Sequence, residues 1–152
     1  MTEETDGTPG VTSDDPRVIR SLAVTTGDVV TALEANHRRD AGAVLRITPP
    51  FAPRMRARLH RAGTEGEYPD GPRPIHVDPA ALIRAVPAFP TADDTERALR
   101  ADPDAEYTAE RHRERHVERV EAWRETLRER VVESVTLSLP DGDHEVVVKA
   151  LG

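Results

Sequence analysis

Apolar residues recur at two different spacings along the chain, and the change of spacing marks out its elements. Val18, Ile19, Leu22 and Val24 predict a first strand, after which Thr25 or Thr26 caps a helix carrying Val29, Val30 and Leu33 on one side. His37, Arg38 and Arg39 fall in its last turn, where positive charge suits the carbonyl end, and Gly42 closes it. Ala43 to Thr48 reads as a second strand. Pro49, Pro50 and Pro53 around Phe51 then forbid a regular ladder and force a loop. Arg54 to His60 alternates strictly, with Met55, Ala57 and Leu59 on one face and Arg54, Arg56, Arg58 and His60 on the other, which predicts a half-buried strand. A helix is the rival reading, since Arg, Met, Ala and Leu all favour helices.

Gly63 to Pro74 is a turn-rich loop, and Ile75 to Val77 forms a short strand. Asp78 with Pro79 opens a short helix that stops before Pro87, and Thr91 or Asp93 opens another through Leu99. Thr108 caps the longest element, expected to run to about Ser134 and so to span about 40 Å. At helical spacing His112, His116, Val120, Trp123, Leu127 and Val131 share one stripe. Glu110, Glu114, Glu118, Glu121, Glu125 and Glu129 occupy the opposite, solvated side. Val135, Leu137 and Leu139, then Val146, Val148 and Ala150, alternate on either side of Asp141-Gly142, the clearest hairpin in the chain. The expected fold is α+β: a small, mostly antiparallel sheet with a C-terminal hairpin packed on one long helix, with shorter helices around it.

Composition narrows the function classes. The 152 residues include no Cys, 37% are apolar, and only Phe51, Phe89, Tyr68, Tyr107 and Trp123 are aromatic, which suits one domain with a modest core. Without Cys there is no disulfide, thiolate metal site or cysteine nucleophile, so any such chemistry falls to the six His, the carboxylates and the hydroxyls. No apolar run is long enough to cross a bilayer, and the N-terminus has no basic and apolar leader, so the expected location is cytoplasmic with no membrane contact. Residues 1 to 16 carry five acids and no base, with little to bury, and are expected to be a disordered acidic tail ahead of a single domain over residues 17 to 152.

Charge is distributed unevenly within the net -7. Residues 37 to 61 hold seven Arg against Asp40, and residues 62 to 107 hold ten acids against four Arg. If Arg54, Arg56, Arg58 and His60 line one strand face and Arg46 projects from the strand before it, five donor-bearing side chains converge where phosphates or carboxylates bind. The partner would be an anionic macromolecule, a nucleic acid or an acidic protein. The competing reading is internal: the basic and acidic blocks neutralise one another within the fold. Phe51 beside the Arg strand is the single aromatic available to stack on a base, whereas an RNA-binding sheet offers two or three. The acidic tail would compete for the same face.

Two other readings stand beside it. His112 and His116 are four apart on the long helix, a spacing that aims two imidazoles at one metal ion and suggests a metal-dependent enzyme. Glu114 lies on the far side of that helix, so the metalloprotease motif is absent, and a third ligand would have to come from His76, His60 or Asp78. Partly buried structural His are the alternative. The third reading is a homodimer through the long helix, should its stripe be left uncovered. Gly63, Gly66 and Gly71 form no phosphate loop, and Ser13, Ser21, Ser134 and Ser138 form no nucleophile elbow. Asp93 with Asp94 and Asp102 with Asp104 fit helix caps and turns. No enzyme signature emerges and no cofactor is expected.

The run "RSLAVTTGDVVTALEANHRRDAGAVLRITPPF", the string "PIHVDP", the helix "EYTAERHRERHVERVEAWRE" and the ending "DGDHEVVVKALG" together resemble a family of small uncharacterised haloarchaeal proteins across residues 17 to 152. The resemblance implies a salt-rich archaeal cytosol, which agrees with twenty Arg beside the lone Lys149. It implies no activity, ligand or catalytic residue. The expected function is a non-catalytic binding or regulatory module.

Overall fold

A computed structural model describes residues 12–61 and 71–152. The expected loop from Gly63 falls mostly outside them, as does the tail up to residue 11. The fold is α+β, and the chain divides into two compact units: residues up to 84 together with 131–152, and residues 85–130.

In the first unit a 3-10 turn, Pro16–Val18, leads into β1 (Ser21–Thr25) and α1 (Thr26–Arg39). Leu22 and Val24 of β1 are fully buried, as strand alternation requires. The Thr25 hydroxyl accepts from the Asp28 N–H at 3.2 Å, so the expected cap holds. At the other end the capping residue is Asp40, φ 51°, whose N–H reaches the Asn36 carbonyl, and Gly42 beyond it also takes a positive φ, 67°. Asn36 also fixes the next strand, accepting from the Ala43 N–H at 2.7 Å and donating to the Ala43 carbonyl at 3.0 Å.

The strands form two sheets. β2 (Ala43–Ile47) is central to a three-stranded antiparallel sheet, flanked by β4 (Arg58–Arg61) and β5 (Ile75–Val77), and β3 (Arg54–Arg56) belongs to the other sheet. That second, four-stranded sheet has the order β3-β1-β7-β6, with β6 (Ser134–Leu139) and β7 (Gly142–Leu151) forming the C-terminal hairpin. Gly142 sits at φ 130°, a value that suits Gly and explains the Asp-Gly step. β1 pairs in parallel with both β3 and β7, so this sheet is mixed rather than mostly antiparallel.

Two expectations need correction here. Arg54 to His60 is not one strand of one sheet. It breaks at Ala57, fully buried, whose N–H donates to the Ala23 carbonyl; β3 then serves as the edge of one sheet and β4 as the edge of the other. Leu59, expected inside, is 41% exposed, because it lies on an edge strand beside the fully buried Leu45. Ser13 exchanges two backbone hydrogen bonds with Phe51, at 2.7 and 2.8 Å, and Phe51 is 1% exposed. An aromatic anchor in the loop thus holds residues whose own side chains have little to bury.

Pro79–Leu82 forms a 3-10 turn capped by Asp78, and Ile83 bridges to Val131. The second unit holds α2 (Ala92–Ala101), capped by Thr91, packed on α3 (Ala109–Arg128), capped by Thr108. α3 stops short of Ser134. The β-branched pair Val131 and Val132 leaves the helix, and the Val132 N–H binds the Leu82 carbonyl at 3.0 Å. Its stripe is as expected up to that point: Val120, Trp123 and Leu127 are buried and the six glutamates are exposed. Among the described residues no helix is long and apolar enough to cross a membrane.

Candidate anion-binding surface

The arginine segment carries the surface because of where its two halves pair. In β3, Arg54 lies beside Ser21 and Arg56 beside Ala23. In β4, Arg58 lies opposite Arg46, and His60 opposite Val44. Arg54, Arg56 and Arg58 are exposed, and among the described residues no carboxylate pairs with any of them. The contrast lies within the same molecule. Arg38 binds Glu34 at 2.8 Å, Arg100 binds Glu96 at 2.9 Å, and Arg124 and Arg128 bind Glu121 and Glu125 at 2.9 Å, each within one helix. Among the described residues of the acidic block, Asp94 and Glu96 pair with helical neighbours three or four apart, and Asp102 pairs with Arg115.

Arg46 and His60 occupy a different setting from these three exposed arginines. Both are half-buried, and Arg46 Nη1 lies 3.1 Å from His60 Nε2, within donating distance. The His60 ring stands 5.6 Å from that of His76, which is the register partner of Arg46 on β5. The five residues expected to converge thus separate into two groups. Arg46, Arg58 and His60 share the outer face of the three-stranded sheet, where His76 joins them, and Arg54 and Arg56 stand on the four-stranded sheet. Ala57 links the two. His76 was not legible as a member of this face, since a three-residue strand gives no alternation to follow.

Lys149 was also missed. Its register places it beside Ala23, across β1 from Arg56, so two cations flank one small residue. Only the parallel pairing of the first strand with the last brings them together, and alternation within one strand carries no sign of its neighbour.

The histidine pair of α3 is otherwise engaged. The two rings stack at 6.2 Å. His112 Nε2 lies 2.9 Å from the Ala92 carbonyl, and His116 Nδ1 lies 2.8 Å from the hydroxyl of Thr95, which is 1% exposed. Both rings therefore fasten α2 to α3. Among the described residues no three metal-capable side chains gather. Trp123 is 4% exposed, donates from Nε1 to the Pro87 carbonyl at 3.0 Å, and meets Phe89 edge-on at 4.9 Å. The stripe that would form a dimer seam is covered within the chain.

A cleft of about 530 Å³ opens in the first unit, bordered by Arg17, Phe51, Arg73, His76, Leu139 and Asp141. Of its carboxylates, Asp15 is held below the usual range by hydrogen bonds from the Arg17 side chain and then the Arg17 N–H. That direction is opposite to what a general acid requires.

Neither a curated protein nor a solved structure matches the chain. A family model described as "Domain of unknown function (DUF8009)" matches residues 9–152, and the chain belongs to that family.

Proposed function

We propose that this protein is a non-catalytic binding or regulatory module that engages an anionic macromolecule through the arginine segment. The single observation behind the reading is that Arg54, Arg56 and Arg58 stand exposed with no carboxylate partner among the described residues, whereas Arg17, Arg38, Arg97, Arg100, Arg111, Arg124 and Arg128 each pair with an acid two to four positions away. Three exposed guanidinium forks carry both charge and direction. Arg46 and His60 complete the surface on the three-stranded sheet, as neighbours of Arg58. A salt-rich haloarchaeal cytosol as the setting belongs to the same proposal, supported by the Arg and acid usage. So does competition by the acidic tail, whose residues up to 11 lie outside the described ones. The metal reading from His112 and His116 has less support, because both rings already bind α2.

Retention on immobilised heparin tests the reading. A chain of net charge -7 has no general affinity for a polyanion, so retention reports a local basic surface. The native protein is expected to be retained, and the variant Arg54→Gln/Arg56→Gln/Arg58→Gln to flow through. Equal behaviour of the two overturns the proposal.

A further inference from the structure

The outer face of the four-stranded sheet has a shape that the arginines alone do not explain. Leu22 and Val24 point into the core, so Ser21, Ala23 and Thr25 form the opposite face of β1. In register beside them stand Arg54 and Arg56 on one side, and Val147, Lys149 and Leu151 on the other. Val146 and Val148 are buried, whereas Val147 is 46% and Leu151 40% exposed. Small side chains along the middle strand between longer ones on both neighbours make a trough. Its walls stand about 10 Å apart, twice the inter-strand spacing.

The chemistry changes along this trough in steps of two residues. The Ser21 row offers Val147 opposite Arg54; the Ala23 row offers Lys149 opposite Arg56; the Thr25 row offers Leu151. Along β7 an aliphatic, a cationic and an aliphatic side chain thus follow one another about 6.6 Å apart, with Arg54 facing the first and Arg56 facing the second. Phosphate backbones make no use of exposed Val and Leu, and among the described residues the paired positions of this face include no aromatic ring on which a base could stack. An extended peptide presents alternate side chains to one face at the same spacing.

We infer that the trough along β1 binds an extended acidic peptide in which an Asp or Glu lies two residues from aliphatic side chains on either side. The carboxylate lies over Ala23 between Arg56 and Lys149, and the aliphatic residues meet Val147 and Leu151. Glu145 and Asp143, further along the same face of β7, repel acids beyond the Val147 end and so set the limit of the acidic segment. The inference rests on the preceding reading that this surface binds an anion, and it names the partner's class.

The test uses the full chain and fluorescence anisotropy with three labelled probes: a short peptide of pattern Leu-Thr-Asp-Thr-Leu, the same peptide with Ser for both Leu, and an oligothymidylate. The Leu peptide is expected to bind about tenfold tighter than the Ser peptide, and tighter than the oligonucleotide. Val147→Thr/Leu151→Thr, which keeps β-favouring side chains, should erase the difference between the peptides. Ala23→Gln, which fills the trough without touching a cation, should weaken the Leu peptide by a similar factor. Equal or absent binding of the two peptides, or preference for the oligonucleotide, overturns the inference. If heparin retention persists in that case, the anion-binding reading survives. If retention is also absent, both fall.

Discussion

Phe51 and Trp123 are buried anchors whose contacts reach beyond their own elements. Phe51 is 1% exposed and its backbone holds Ser13, so Phe51→Ala should cost about 3–5 kcal/mol and release the segment ahead of Arg17. Urea unfolding measures the cost, and amide exchange at Ser13 measures the release. Trp123→Phe keeps the ring against Phe89 but loses the hydrogen bond to the Pro87 carbonyl. A loss of about 1 kcal/mol is expected in the same assay. Acid sensitivity also arises at this scale. The Asp94 carboxyl is held low by the Thr91 side chain and then by Arg97, and that of Asp102 by the Asp104 N–H and then by Arg115. A carboxyl whose folded pKa is depressed adds stability above its ordinary pKa and loses it as pH falls through the folded value. Thermal stability should therefore decline on acidification below about pH 4, and Asp94→Asn/Asp102→Asn should flatten that decline.

Elements differ in how far local sequence specifies them. The C-terminal hairpin and the start of α3 depend on neighbours alone: Gly142 supplies the turn geometry, and the Thr108 hydroxyl accepts from the Arg111 N–H at 3.0 Å. Both were legible for that reason. Removing the cap with Thr108→Ala should cost about 1 kcal/mol, read as a lower urea midpoint. Gly142→Ala should cost at least as much, because φ 130° strains any side chain. What the sequence hid was pairing. Strict alternation from Arg54 to His60 gives each side chain a face but names no partner strand, so the break at Ala57 and the exposure of Leu59 were invisible. The parallel union of β1 with β7 joins residues more than a hundred positions apart, beyond any local pattern. The arginines of the candidate surface were legible as charge, whereas Lys149, His76 and the trough became visible only through that pairing.

On the scale of the whole molecule, the question is whether the basic block serves the fold or faces outward. Helical ion pairs such as Arg38–Glu34 and Arg100–Glu96 use up acids close to home, so the opposite charge of neighbouring segments does not imply mutual pairing. Cations that serve the fold reveal themselves when neutralised, since the partner carboxylates lose their counter-charges. Cations that face solvent do not, because surface substitutions away from such contacts change stability by only about half a kcal/mol each. The urea unfolding free energy of Arg54→Gln/Arg56→Gln/Arg58→Gln separates the two cases directly. It should lie within about 1.5 kcal/mol of the native value; a loss of several kcal/mol would place these arginines in the fold's own ion pairs and contradict a binding surface.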